Sequence, residues 1–397
     1  MSTSTVFSVP GVRLATAAAG IRKPGRQDVL LVEIAQGATT AAMFTTNAFC
    51  AAPVTLARQH LASNSPRYLL INSGNANAGT GEQGLQAAIS SCQAVAKQCE
   101  CQLEEVLPFS TGVIGEPLPV AKINAVMKQL HQDLSADGWR SAAQAIMTTD
   151  TVPKIVSRQI TLAGKQITLT GIAKGAGMIR PDMATMLSFL ATDAELEQHT
   201  LYACLRNAVN KSYNRITIDG DTSTNDAVVL MATGKSGVRI QANEMAEFQT
   251  LLDKVCVELA RAIVRDGEGA TKLINVVVEQ GTTDQECARV AYAIAQSPLV
   301  KTAFFASDPN WGRILAAVGY AGVDNLDIGK IRIYLDDVCI VSDGGRDSNY
   351  TEEQGHQVMQ QAEITVRVVL QRGHATTTVW TCDFSYDYVK INAEYRT

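Results

Sequence analysis

Lys174-Gly175-Ala176-Gly177-Met178-Ile179-Arg180-Pro181-Asp182-Met183-Ala184-Thr185-Met186-Leu187 separates two runs of different character. The run before it, Gln166-Ile167-Thr168-Leu169-Thr170-Gly171-Ile172, alternates with the period of a strand. The run after it, Met186-Leu187-Ser188-Phe189-Leu190-Ala191, has the composition of a buried strand. Two glycines and a proline break regular structure between them, so the segment reads as a loop tethered to a strand at each end. Thr185 stands where the loop ends, next to small Ala184. A Thr hydroxyl becomes a competent nucleophile when a base takes its proton, and the residue's own free α-amine can be that base. Such an amine titrates near about 7.7–8.0, but it exists only once the Ala184–Thr185 bond is cut. Attack of Thr185 on the Ala184 carbonyl, transfer of the acyl group from nitrogen to oxygen and hydrolysis of the ester would cut it. The β-branch of Thr185 restricts χ1 and pre-aims the hydroxyl. On these residues alone, a tight turn between two strands is the simpler account.

Upstream, residues 28–34 and 40–46 read as two strands joined by a Gly-containing turn, a hairpin pattern. Tyr68-Leu69-Leu70-Ile71-Asn72 is a further strand. After Ser73-Gly74-Asn75-Ala76-Asn77-Ala78 a helix places Leu85, Ile89, Cys92, Ala96 and Cys99 on one face. Gly79, Gly81 and Gly84 have dinucleotide-loop spacing, but such a loop is entered directly from its strand. Six polar or small residues intervene here, which favours Asx turns leading into the helix. Val106-Leu107-Pro108-Phe109-Ser110-Thr111-Gly112-Val113-Ile114-Gly115 is a short apolar run enclosing a Thr-Gly pair. Helical patterns follow over 120–130 and 139–146, before Thr148-Thr149-Asp150-Thr151.

Downstream, a helix over 195–211 precedes Asp219-Gly220-Asp221-Thr222-Ser223-Thr224-Asn225-Asp226. A calcium loop needs Gly and Glu at its sixth and twelfth positions; Thr224 and Leu230 stand there, so a polar loop is the better account. A long helix carries Met245, Phe248, Leu252, Val255, Leu259 and Ile263 on one face and stops at Asp266-Gly267. Glu268 then sits between two glycines ahead of a strand over 273–278. Asp308 and Pro309 read as the N-cap and first residue of another helix. Strands over 364–370 and 376–381 precede the closing Lys390-Ile391-Asn392-Ala393-Glu394-Tyr395-Arg396-Thr397. Paired strands mixed with helices indicate α+β layers rather than a regular parallel βαβ succession.

The 397 residues, 46% hydrophobic and 18% charged, suffice for a large core and suggest two or three domains. The net charge of -5, without a long Lys/Arg cluster, argues against a nucleic-acid partner. Nine cysteines without CxxC spacing and five histidines without HExxH signal no metal site, and the thiols read as reduced. No signal peptide and no apolar run of membrane-spanning length are evident. A soluble, cytoplasmic protein acting on small molecules is expected.

Taken together, several of these stretches resemble the ornithine acetyltransferase, or glutamate N-acetyltransferase, family of arginine biosynthesis. The carriers are Asn72-Ser73-Gly74-Asn75-Ala76-Asn77-Ala78, Ser110 through Gly115, Thr148-Thr149-Asp150-Thr151 and Lys174 through Leu187. Asn214-Arg215-Ile216-Thr217-Ile218 running into Asp219 through Asp226, Asp266-Gly267-Glu268-Gly269-Ala270-Thr271-Lys272, residues 308–314 and Ile391-Asn392-Ala393-Glu394-Tyr395 continue the series to the end of the chain. Gly79 stands where many members carry Cys.

The resemblance implies an enzyme that cuts itself at Ala184–Thr185 into chains of residues 1–184 and 185–397. It then moves acetyl from N2-acetyl-L-ornithine to L-glutamate by ping-pong through acetyl-Thr185, without a cofactor or metal. Thr185 is implied as nucleophile, Thr111 and Gly112 as the oxyanion hole, and Thr148, Lys174, Thr185, Glu268, Asn392 and Thr397 as substrate contacts. The implied fold is a four-layer α/β/β/α sandwich of two intertwined chains, pairing into an (αβ)2 assembly. Acetyl-CoA as a second donor, which would make the enzyme bifunctional, is left open. The alternative function is an N-terminal-nucleophile amidohydrolase or aminopeptidase of the same fold group.

Overall fold

Continuous apolar runs supply most strands of the first of two units, because its sheets are covered on both faces. The computed structural model describes residues 5–180 and 186–395. The first unit comprises Met1–Asn214 and Asp221–Ile263. Its elements in chain order are β1 (Val12–Ala17), β2 (Val29–Ile34), β3 (Thr39–Phe44), α1 (Ala52–Ser63), β4 (Tyr68–Asn75), α2 (Gly81–Cys99), β5 (Val106–Val113), α3 (Val120–Ala125), α4 (Met127–Gln132) and α5 (Trp139–Ala145). They continue with β6 (Lys154–Leu162), β7 (Lys165–Lys174), β8 (Leu187–Thr192), α6 (Gln198–Lys211), β9 (Ala227–Ala232) and α7 (Met245–Arg265).

One sheet has the order β1-β2-β4-β5 and a second the order β3-β9-β8-β7-β6. Leu30, Ile71 and Phe109 from the first share a core with Ile172, Phe189 and Val229 from the second. Phe109 meets Phe189 edge-on, ring centres 5.1 Å apart. Because successive strand residues face opposite ways, Leu31 and Leu70 point to the other side, where they pack with Cys92 and Val95 of α2 and Leu130 of α4. Gly171, beside inward-facing Ile172, likewise faces outward; Leu259 of α7 lies 3.1 Å from where its Cβ would be. The order within this unit is thus helix, sheet, sheet, helix, as the resemblance implies.

The hairpin expected over 28–46 does not form. β2 pairs with β1 and β4, whereas β3 pairs with β9 in the other sheet. Gly37, at φ +84°, turns the chain from one sheet to the other. Both runs are largely buried, so neither carries the one-sided alternation that would dictate pairing with its sequence neighbour. β7 and β8 are antiparallel neighbours with Lys174 opposite Leu187 as their last pair. The opening segment therefore leaves and re-enters one sheet at adjacent points.

The second unit comprises Arg215–Gly220 and Val264–Thr397. It contains β10 (Leu273–Gly281), α8 (Asp284–Ala295), α9 (Pro298–Phe305), α10 (Trp311–Gly319), β11 (Arg332–Leu335), β12 (Val338–Ser342), β13 (Gly345–Arg346), α11 (Glu352–Met359), β14 (Glu363–Val369), β15 (Ala375–Cys382) and α12 (Tyr386–Ala393). The sheet order is β13-β12-β11-β14-β10-β15, with β10 and β14 parallel. Val276, Val366 and Ile333 pack there with Val290 and Ile294 of α8 and Ile314 of α10.

The helix expected to start at Pro309 starts two residues later. Asn310 is its N-cap and accepts the Arg313 N–H at 3.1 Å, while the Asn310 amide nitrogen donates to Asp308 at 2.9 Å. Backbone bonds from Asn310 N to Asp308 O and from Trp311 N to Pro309 O close tight turns ahead of the helix. Among the described residues no helix is long and apolar enough to cross a membrane.

Candidate active site

Three candidate residues of the first unit converge on one ammonium group. Lys174, the last residue of β7, is buried; its Nζ donates to Thr148 Oγ1 at 2.8 Å and to Thr111 Oγ1 at 3.3 Å. Since both hydroxyls accept from Lys174, each keeps its own O–H to donate elsewhere. An ammonium flanked by two such hydroxyls has the chemistry to bind a carboxylate.

Thr111 and Gly112 lie in the last three residues of β5, which runs parallel to β4 with Thr111 opposite Ser73 and Gly112 opposite Gly74. The register shifts just beyond, at Asn75. Gly112 has φ +135°, and a Cβ there would stand 2.3 Å from the Gly74 carbonyl carbon. Only glycine fits this approach of two strands. Thr148 follows α5 in a segment held by Arg26, whose guanidinium donates to the carbonyls of Met147 and Thr148.

Two buried carboxyls, which lie in the quoted motifs but were given no role from sequence, organise this region. Asp150 accepts from Lys154 Nζ at 2.6 Å and Gly175 N at 2.7 Å through Oδ1, and from Thr148 N at 3.0 Å through Oδ2. Burial pushes its pKa up, but the charges of Lys174 and Lys154 and these hydrogen bonds outweigh it, so the carboxyl sits well below the usual range.

Asp226 is fully buried and accepts the Met186 N–H at 2.7 Å through Oδ1, while among the described residues Oδ2 has no hydrogen-bond partner. Burial raises its pKa well above the usual range; the Met186 amide and the more distant charge of Lys174 oppose the rise without cancelling it. Neighbouring Asn225 donates through Nδ2 to the carbonyls of Ala76, at 2.7 Å, and Ser110, at 2.9 Å. The acidic loop thus ties the start of β8 to the strand that carries Thr111. The Asn and Asp at positions 225 and 226 were legible only as a polar loop, because the partners that give them meaning lie far away in sequence.

The glycine-rich loop after β4 is likewise used internally. Asn77 N donates to Asn75 Oδ1 at 2.8 Å, and Asn77 Nδ2 donates to the Gly84 carbonyl at 2.8 Å. A Cβ on Gly84 would collide with Thr80 Oγ1. These contacts build an Asx turn at the start of α2.

In the second unit, Glu268 and Asn392 are brought together. Asn392 Nδ2, on α12, donates to Glu268 Oε2 at 2.8 Å. The loop bearing Glu268 is locked against α12: Ser385 Oγ donates to the Gly269 carbonyl at 2.6 Å, and a Cβ on Gly269 would lie 2.6 Å from Tyr388 N. Asp383 holds the same loop by accepting from Thr271 N at 2.8 Å and Lys272 N at 2.9 Å. Ala184, Thr185 and Thr397, expected as the cleavage pair and the last substrate contact, lie outside the described residues. Among the described residues no group of His, Cys, Asp and Glu side chains could hold a metal.

The sequence profile of the ArgJ family matches residues 13–397. An arginine biosynthesis bifunctional protein ArgJ of Methylococcus capsulatus is 58% identical over 98% of this chain and 96% of its own length. Its counterpart in Pseudomonas syringae is 56% identical over 98% of this chain and 97% of its own length. A crystal structure of arginine biosynthesis bifunctional protein ArgJ from Bacillus halodurans is 40% identical, with a TM-score of 0.49 over 51% of this chain and 96% of that one.

Proposed function

Because the chain belongs to the ArgJ family, we propose that it is an acyltransferase of arginine biosynthesis that moves acetyl from N2-acetyl-L-ornithine to L-glutamate through acetyl-Thr185. The observation that carries this reading is the Lys174 ammonium held between the Thr148 and Thr111 hydroxyls. Donor and acceptor are both α-amino acids, so one receptor for an α-carboxylate serves each half of a ping-pong exchange.

Self-cleavage at Ala184–Thr185 frees the Thr185 α-amine. In the first half-reaction the Thr185 hydroxyl attacks the acetyl carbonyl, its proton passing to that amine. The backbone N–H groups at Thr111 and Gly112 receive the developing oxyanion, where one such donor contributes about 3 kcal/mol. Collapse passes the proton to the leaving nitrogen and releases ornithine. The glutamate amine then attacks acetyl-Thr185, and acetylglutamate leaves as the hydroxyl is restored. Glu268, Asn392 and Thr397 complete the substrate contacts, Glu268 by meeting a substrate ammonium. Acetyl-CoA serves as a second donor, in keeping with relatives named bifunctional. The enzyme works in the cytoplasm as an (αβ)2 assembly.

The test is to supply purified protein with N2-acetylornithine and glutamate and no cofactor. Acetylglutamate is expected, with chains of 184 and 213 residues by intact mass. Release of free acetate alone would reject transfer in favour of hydrolysis. Thr185→Ala should give one uncut chain without turnover; the same two chains from that variant would reject cutting in cis.

A further inference from the structure

Asp150 closes a ring of contacts. Its Oδ2 accepts the Thr148 N–H at 3.0 Å and faces Lys174 Nζ at 4.0 Å, and Lys174 Nζ returns to Thr148 Oγ1 at 2.8 Å. The backbone and hydroxyl of Thr148 and the ammonium of Lys174 are therefore set by one carboxylate oxygen. The other oxygen anchors that carboxylate to the sheet. Oδ1 takes Gly175 N, one residue past the end of β7, and Lys154 Nζ from the first residue of β6. β6 and β7 are paired there, Lys154 opposite Ala173, so the anchor points are fixed relative to each other. All three charged side chains are buried. In such surroundings an ammonium follows its counter-charge closely, because little water competes for it.

We propose that Asp150 is a positioning residue for substrate binding, orienting the Lys174 ammonium and the Thr148 hydroxyl toward the α-carboxylate shared by donor and acceptor. The proposal rests on the assignment of Lys174 and Thr148 as carboxylate contacts. Asp150 itself touches no substrate. Its ionised state, held by the neighbouring lysines, is what lets it orient a cation.

Asp150→Asn retains the shape and one acceptor but removes the charge. It should raise KM for N2-acetylornithine and for glutamate together, by about 10- to 100-fold, the range for losing one hydrogen bond to a charged group. Any fall in kcat should be much smaller. A role confined to neutralising Lys154 is separated by the double variant D150N/K154M, which removes the carboxylate with its nearest cation. This variant also provides the measurement if the single one does not fold. KM should stay raised in the double variant; a return to the parental value overturns the proposal, as does a parental KM in Asp150→Asn. Lys174→Met is the control for the underlying assignment. If it too leaves KM unchanged, the carboxylate receptor is misassigned, whereas a raised KM there beside an unaffected Asp150 variant rejects the Asp150 role alone.

Discussion

Two aspartates near the same lysine are shifted in opposite directions, and the difference is local. Asp150 has Lys154 at 2.6 Å and Lys174 at 4.0 Å and stays charged. Asp226 has neither within ion-pair distance; burial raises its pKa well above the usual range, outweighing the Met186 amide and the Ser223 and Thr45 side chains, which favour its charged form. The pH consequences differ in sign. Asp150 contributes stability above the unfolded-state pKa of about 3.9 and loses it as pH falls below. With its pKa raised, Asp226 holds its proton to higher pH in the folded chain than in the unfolded one, so its contribution worsens as pH rises above about 3.9. Asp226→Asn preserves an acceptor for Met186 N and cannot ionise. Its melting temperature relative to the parent should therefore rise as pH climbs above about 4, measured between pH 4 and pH 8. A difference that is flat across that range would mean that Asp226 is ionised in the native protein. Neither state was legible in sequence: the Thr-Thr-Asp-Thr stretch and the acidic loop were visible as motifs, but a carboxyl's charge depends on what folds against it.

At the scale of elements, β5 approaches β4 so closely at Gly112 that a side chain there has no room against the Gly74 backbone. Gly112→Ala would place a methyl 2.3 Å from the Gly74 carbonyl carbon and 2.5 Å from Asn75 N, at φ +135°. Strain of this backbone kind costs roughly 1–3 kcal/mol, and relieving the collision must displace one strand end. If the Gly112 amide receives the oxyanion, kcat should fall by about 10²- to 10³-fold, the cost of one misplaced donor. A lowered melting temperature with parental kcat would leave Gly112 a packing residue only. The Thr-Gly pair was visible in sequence inside an apolar run, but its role came only from the family resemblance. The strands on either side of the central segment were equally plain. What sequence could not give was which sheet each strand joins. The run over 40–46 reads as the hairpin partner of 28–34, yet its strand, Thr39–Phe44, pairs with Ala227–Ala232, far along the chain; buried runs record that a strand is covered, not by whom.

The same non-local pairing decides what self-cleavage would do to the molecule. The five-stranded sheet runs β3-β9-β8-β7-β6. β3, β6 and β7 precede residue 185 and β8 and β9 follow it, so β9 and β8 lie between strands of the other product. Two ladders cross the divide, β3 with β9 and β7 with β8. The core between the sheets mixes Leu30, Ile71 and Phe109 from one side of the cut with Phe189, Val229 and Met231 from the other. Separating the products would expose that core at about 25 cal/mol for each Å² of apolar surface, besides unpairing both ladders. Cutting one peptide bond removes none of these contacts. After mass spectrometry has established cleavage, the 184- and 213-residue chains should elute together from a sizing column in native buffer and part only in denaturant. Two separate native peaks from fully cleaved protein would contradict this, since neither product retains a complete five-stranded sheet.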